Sequence, residues 1–245
     1  MDDGGGAGAV LSVIRTVAVT GSTNDDMVAL ARAGAEEGVW LRAERQSAGR
    51  GRQGRFWSSP VGNFAGSTLV RLRTTDRPAP SLALVAAVAL HEAVSTFYGA
   101  TGLRLKWPND LLLDRAKLAG ILLERVEQAV VVGIGVNLAH HPDLPDRLTT
   151  SLAAHGTAVA AGPFAQALAA TFTDWLGRWR VEGLPPVRKR WLEKAHAPGT
   201  ALTARLPDGE TLDGAFDGLD ADGSLILRLA SGERRVIHAG DVFLL

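Results

Sequence analysis

Three glycines threaded between arginines set the first limit on what this chain can fold into. The stretch is Arg45-Gln46-Ser47-Ala48-Gly49-Arg50-Gly51-Arg52-Gln53-Gly54-Arg55-Phe56-Trp57. Glycine at such short intervals weakens both helix and strand, so the segment reads as a loop that lets the backbone fold tightly and approach a ligand. Arg45, Arg50, Arg52 and Arg55 lie in it with no acid among them. Guanidinium groups grip phosphate and carboxylate through paired hydrogen bonds, which makes the loop a cationic clamp for a polyanion. A solvated basic surface loop and an RNA-binding glycine/arginine segment are the rival readings. The spacing Gly49-x-Gly51-x-x-Gly54 also fits a dinucleotide fingerprint, but that motif must open a helix. Here Phe56-Trp57-Ser58-Ser59-Pro60 follows, which is extended chain and turn, so a doubly wound dinucleotide fold is disfavoured.

Around this loop the chain alternates strands with a few helices. Residues 10–19, 39–44 and 64–72 are rich in apolar and β-branched residues and read as strands. Gly21-Ser22-Thr23-Asn24-Asp25-Asp26 is a helix start, with Ser22 or Thr23 as cap and acids in the first turn. It is either only a cap or a helix N-terminus whose spare hydroxyl and amide groups hold a polar head group. Ser81 is expected to cap an apolar helix over 82–98, closed by Gly99. Strands at 103–107, 117–124 and 129–132, with a turn at Pro108-Asn109-Asp110 and a glycine-rich end at Gly133-Ile134-Gly135-Val136-Asn137, suggest an antiparallel meander. Residues 140–150 read as a loop. Pro163 is expected to open a helix whose Phe164, Leu168, Trp175 and Trp179 form a core stripe, and a further helix covers 187–195. After residue 196 the texture changes to five short strands separated by turn signals such as Pro207-Asp208-Gly209, which suggests a small barrel. The expected organisation is a disordered tail over 1–9, an α/β (α+β) domain over 10–195 and a barrel over 196–245.

The formal net charge is zero, from 26 basic and 26 acidic residues, so a globally basic nucleic-acid binder is disfavoured and the arginine cluster is a local feature. With no cysteine there is no disulfide, thiolate zinc site or cysteine nucleophile. His140-His141 precede Pro142 without metal-ligand spacing and read as surface residues. No signal peptide or membrane span is evident; the apolar window 82–94 is short and carries His91-Glu92, so it reads as a buried helix and the expected location is cytoplasmic.

Polar residues interrupt apolar strands at two further places. One is Lys106-Trp107-Pro108-Asn109-Asp110, the other Lys117-Leu118-Ala119-Gly120-Ile121-Leu122. Lys117 is either a strand-end lysine reaching water or a charge fixed over a site, and Gly120 marks a close approach. Taken in order with Gly49-Arg50-Gly51-Arg52-Gln53-Gly54-Arg55-Phe56-Trp57, these motifs resemble the bacterial biotin protein ligases, of the type lacking an N-terminal DNA-binding domain. The resemblance runs from about Val17 to the terminal Gly240-Asp241-Val242-Phe243-Leu244.

That resemblance implies a mixed β-sheet flanked by helices, related to the class II tRNA synthetase catalytic fold, followed by an SH3-like barrel. It implies activation of biotin by ATP, with Mg²⁺ bridging the phosphates rather than held by protein ligands alone. Biotin then passes from biotinoyl-5′-AMP to a lysine of a biotin carboxyl carrier domain. No DNA or membrane partner is expected, and a homodimer stays open. Ser22, Thr23, Asn24 and Gln46 fall where the family holds biotin, with Arg50, Gly51, Arg52 and Lys117 beside it. Arg50, Arg52, Arg55, Trp57, Lys117 and Asn137 are expected at the adenylate. Lys117 would bridge carboxylate and α-phosphate, Arg52 would close over the adenylate, and Asp110 would orient or deprotonate the acceptor lysine. Trp57 and Trp107 are candidate walls or plain core. The chain departs from common family members at Asn63-Phe64-Ala65-Gly66-Ser67, where bulkier residues are usual. A lipoate or octanoate ligase of the same fold, and a non-catalytic nucleotide- or RNA-binding module, are the alternatives.

Overall fold

A computed structural model describes residues 13–245; the tail expected over 1–9, and the start of the first expected strand, lie outside them. The chain opens with β1 (Ile14–Thr20), α1 (Thr23–Arg32), β2 (Trp40–Gln46), β3 (Phe64–Arg71) and α2 (Leu82–Tyr98). A meander of β4 (Leu103–Lys106), β5 (Asp110–Leu113), β6 (Ala116–Val126) and β7 (Ala129–Val136) follows, then α3 (Ala161–Glu182) and α4 (Leu184–Lys194). The first seven strands form one mixed sheet in the order β1-β2-β3-β7-β6-β5-β4. Among the described strands of this sheet only β1 and β2 run parallel, across α1; the other neighbouring strands pair antiparallel.

Period-two alternation gives this sheet two unlike faces. One face carries Trp40, Phe64, Val70, Val130, Val132, Ile134 and Val136 into the main core with α2 and α3. The segment Ala79–Tyr98 is long and apolar enough to cross a membrane, yet here α2 is packed into that core. The other face carries Leu41, Leu69 and Val131 to a small core under Met27 and Ala31 of α1. Beyond α1 this second face is stripped of bulk at Gly120, Gly133 and Gly135, which leaves room above the sheet.

The structure corrects several local expectations. Ser81 does not cap α2: it already has helical torsions at the end of a 3-10 turn, whereas a cap needs extended backbone. Its hydroxyl instead donates to the Pro78 carbonyl at 2.7 Å and accepts from Trp179 Nε1 at 2.9 Å. The strand expected over 129–132 runs on through its glycine-rich end to Val136, and this second half of β7 is paired with both β3 and β6. Asp110 lies in β5 opposite Lys106 rather than in the turn. Helix α3 begins two residues before Pro163, and α4 begins at Leu184 rather than 187.

The C-terminal strands β8 (Ala201–Arg205), β9 (Thr211–Leu219), β10 (Leu225–Arg228), β11 (Arg234–Ile237) and β12 (Asp241–Leu244) form an antiparallel SH3-like sheet in the order β11-β10-β9-β8-β12. Its apolar side chains, among them Leu202, Phe216 and Leu227, are continuous with the main core. Polar ties at the joint fix its orientation: Lys106 Nζ donates to the Val242 carbonyl at 2.8 Å and Trp107 Nε1 to the Gly223 carbonyl at 3.2 Å. Trp107 is thus a core residue at this joint, not a wall of the cavity described below.

Candidate active site

The arginine–glycine loop folds as a small hairpin over the stripped face of the sheet. Gly51 N–H donates to the Arg55 carbonyl at 2.7 Å, and Trp57 N–H to the Gly49 carbonyl at 2.9 Å. At the tip Arg55 N–H donates to the Arg52 carbonyl at 3.2 Å, across Gln53 and Gly54, both with positive φ. Two such residues are what a tight two-residue hairpin turn requires. Gly49 has no room for a side chain, because a Cβ there would stand 2.5 Å from the Trp57 carbonyl oxygen.

Between this hairpin, the sheet and β12 lies a cavity of ≈ 780 Å³. That size suits a ligand built from several rings. Ser22, Thr23, Asn24, Gln46, Arg50, Gly51, Arg52, Arg55, Trp57, Asp110, Lys117 and Asn137, scattered through the first 137 residues, all line it. At its floor, buried hydroxyl and amide groups meet. Ser22 caps α1 with extended torsions, accepting weakly from Asp25 N–H at 3.5 Å. Gln46 Oε1 accepts from Thr23 N–H at 2.8 Å and from the Thr23 hydroxyl at 3.1 Å. Ser67 of β3 lies 2.8 Å from the Thr23 hydroxyl and donates to Asn24 Oδ1 at 2.6 Å. The Asn24 amide lies so close over Gly133 that a Cβ there would sit 2.0 Å from Oδ1. The Trp57 indole lies equally close over Gly135, where a Cβ would sit 2.3 Å from Nε1.

The opposite end of the cavity is charged. Lys117 Nζ stands 2.6 Å from Asp110 Oδ1 and 5.6 Å from the centre of the Trp57 ring. Lys106 Nζ reaches the other Asp110 oxygen at 3.2 Å. Burial opposes ionisation of Asp110, but Lys117 and Lys106 outweigh it and hold the carboxyl below its ordinary range. Arg52 reaches the Gly240 carbonyl at 3.1 Å and Asp241 at 3.4 Å, and Arg55 also pairs with Asp241. Arg50 is held by Asp25 through contacts of 2.5 and 2.9 Å. Asn137 donates to the Thr150 carbonyl at 3.0 Å, while its buried Oδ1 has no hydrogen-bond partner among the described residues. Six cationic side chains, including Arg147, line the cavity against Asp110, Asp146 and Asp241, so a neutral chain is locally positive here.

Sequence reasoning missed Lys106, Ser67, Arg147 and the β12 residues Asp241, Val242 and Phe243, all of them in or directly beneath the cavity. Lys106 was within a motif already singled out. For Asp241 only the tertiary fold carries the signal, since 186 residues separate it from Arg55. Among the described residues no group of three or more His, Cys, Asp or Glu side chains gathers in a way that could cage a metal ion.

Known proteins resemble the chain along nearly all of its length. The biotin/lipoate A/B protein ligase family matches residues 17–138, and the biotin protein ligase C-terminal domain matches residues 201–245. A biotin–acetyl-CoA-carboxylase ligase of Paracoccus denitrificans is 42% identical over 93% of this chain and 98% of its own length. Its counterpart from Mycobacterium tuberculosis is 35% identical over 97% of this chain and 91% of its own. The biotin protein ligase of Aquifex aeolicus, solved with biotin and ATP, shares the fold with a TM-score of 0.84 at 21% identity, over 95% of this chain and 99% of that one. With relatives this similar over almost their whole length, the chain belongs to the biotin protein ligase family.

Proposed function

We propose that this chain joins biotin to a biotin carboxyl carrier domain in two steps within the one cavity. The observation that carries the reading is the meeting of Lys117 and Arg52 across a space floored by Thr23, Asn24 and Gln46. A carboxylate resists attack by an amine because its carbonyl is electron-rich and oxide is a poor leaving group. In the first step a carboxylate oxygen attacks the α-phosphorus of ATP, the bond to the β-phosphate oxygen breaks, and pyrophosphate leaves. Two anions must be brought together, so positive charge aimed at the point of contact lowers the barrier. Lys117 bridges the carboxylate and α-phosphate, while Arg52 and Arg50 close over them. Arg55 and Asn137 extend the contact with the nucleotide, and Trp57 supplies a flat wall. Mg²⁺, carried in with ATP, would offset the charge of the triphosphate; the carboxylates lining the cavity are already engaged by cationic side chains, so no protein cage would hold the ion.

In the second step the carrier lysine, having given its ammonium proton to water, attacks the acyl carbonyl as the neutral amine; the bond from that carbon to the phosphate oxygen breaks, AMP departs, and the second proton leaves the new amide nitrogen to solvent. Asp110 is a weakened base, because Lys117 and Lys106 stabilise its ionised form. It therefore acts by holding Lys117 and orienting the incoming lysine through a hydrogen bond from its nitrogen, with the proton passing to water rather than being strongly abstracted. The floor suits a ureido ring, which has one acceptor and two donors, better than the dithiolane or alkyl chain of a lipoate or octanoate substrate. The setting is the cytoplasm, where ATP and carboxylases meet.

The test is transfer. Incubated with ATP, Mg²⁺, biotin and a purified biotin carboxyl carrier domain, the protein should attach one biotin to one lysine. Attachment of lipoate instead, or no ATP-dependent product, would overturn the reading.

A further inference from the structure

The side chains of the cavity floor form one connected chain, and its far end is a residue with no role in the chemistry above. Glu124 is in β6, two residues beyond Leu122 on the stripped face, and is half-buried. Its Oε2 accepts from Asn24 Nδ2 at 2.6 Å, and its Oε1 stands 3.5 Å from Arg50 Nη2. On the other side of the same amide, Asn24 Oδ1 accepts from Ser67, and Ser67 meets Thr23, which meets Gln46.

The chemistry of a carboxylate gives this chain a direction. An ionised carboxylate only accepts, so the atom of Asn24 facing Glu124 must be the nitrogen. The oxygen is thereby turned towards the Ser67 hydroxyl, which can donate. Remove the carboxylate and the amide has two rotations of similar energy, one of which exchanges donor and acceptor. A ureido ring distinguishes the two, because its donors and acceptor are fixed.

We propose that Glu124 is a positioning residue that fixes the donor–acceptor polarity of Asn24, and so of the vitamin-binding floor. The inference rests on the ligase reading, since it takes the ureido ring as what the floor holds. Glu124→Gln is the sharp variant. Glutamine has the same shape, but its amide can pair with Asn24 in either rotation, so it preserves packing and loses direction.

The experiment measures biotin binding by titration calorimetry, ATP KM and thermal midpoint in the wild type, in E124Q, in N24A and in the double variant. Losing the productive rotation and a charge-assisted hydrogen bond should weaken biotin binding about tenfold in E124Q, with ATP KM and midpoint unchanged. Added to N24A, the substitution should cost nothing more, because the group it orients is gone. Wild-type biotin affinity in E124Q would overturn the proposal. So would a loss that persists undiminished in the N24A background, or one shared equally by ATP and thermal stability, since each marks a general structural role. A wild type that binds biotin but fails to exchange pyrophosphate with ATP would sink the ligase reading instead, and would leave the affinity comparison to stand or fall by itself.

Discussion

Replacing Asp241 by asparagine should loosen the hairpin without touching the cavity floor. This carboxylate is the point at which the C-terminal sheet grips the loop: Arg52 lies 3.4 Å from it and Arg55 pairs with it directly. Its side chain is only 13% exposed, whereas those of Arg52 and Arg55 are 28% and 41% exposed. An exposed ion pair is worth about 0.2–1 kcal/mol, so the Arg55 contact counts for little and the more sheltered Arg52 contact for more. Together they hold the closed hairpin by about 1–1.5 kcal/mol, or roughly tenfold in its opening equilibrium. Asparagine keeps the shape and one acceptor, and Arg52 retains the Gly240 carbonyl at 3.1 Å, so the loop should open more often rather than unfold. Biotinoyl-AMP formed in a single turnover and then chased should escape about ten times faster from D241N. Free lysines on a bystander protein should be biotinylated in proportion. Added salt should narrow the gap between variant and wild type, since it screens the exposed part of the pairing. Escape at the wild-type rate in low salt would refute the idea that this contact holds the loop.

Other consequences follow from the glycine-cleared face and from two histidines, His91 buried and His196 half-buried. In Gly135→Ala the new methyl would stand 2.3 Å from Trp57 Nε1, so the indole must move off β7. Overpacking of this kind costs roughly 1–3 kcal/mol, and ATP-dependent adenylate formation should fall about tenfold or more while thermal stability falls by only a few degrees; unchanged adenylation would show that Trp57 is not part of the wall. His91, through burial and then Lys194 and Arg190, has its pKa lowered to about 4; His196, through burial and then Lys106, Arg104 and Arg115, is also lowered to about 4. Between about pH 6.5 and 4 the unfolded chain binds more protons than the folded one, so this stability is whole above pH 6.5 and drains away as pH falls towards 4. His91 alone accounts for at most roughly 3 kcal/mol of that loss. Urea midpoints should drop from pH 7.5 to pH 5, and less so in His91→Leu; identical drops would contradict the assignment.

Much of the site was legible as residue types before any geometry. The hairpin announced itself because glycine and arginine do incompatible work unless a loop must approach an anion, and Lys117 and Gly120 stood out against an apolar strand. The Gly133-Ile134-Gly135 spacing was visible too, but it reads as a turn until strand pairing shows that both glycines face the cavity. There Asn24 and Trp57, more than a hundred and nearly eighty residues earlier in the chain, fill the missing side-chain volume. Such filling is a tertiary fact, and no local propensity encodes it. Asp241 was opaque for a stronger reason: its role exists only because β12 docks beside the hairpin, through the backbone contact of Lys106 with Val242. Ser81 misled because a serine before an apolar run looks like a cap whether its torsions are extended or, as here, already helical.

The central claim is that a fixed ammonium at Lys117 makes the meeting of carboxylate and triphosphate feasible. It is tested most directly by exchange of labelled pyrophosphate into ATP, measured with and without biotin in the wild type and in Lys117→Ala. The wild type should exchange label only when biotin is present, and K117A, with its circular dichroism and thermal midpoint intact, should lose nearly all of that exchange. Biotin-dependent exchange at the wild-type rate in the folded variant would contradict the account.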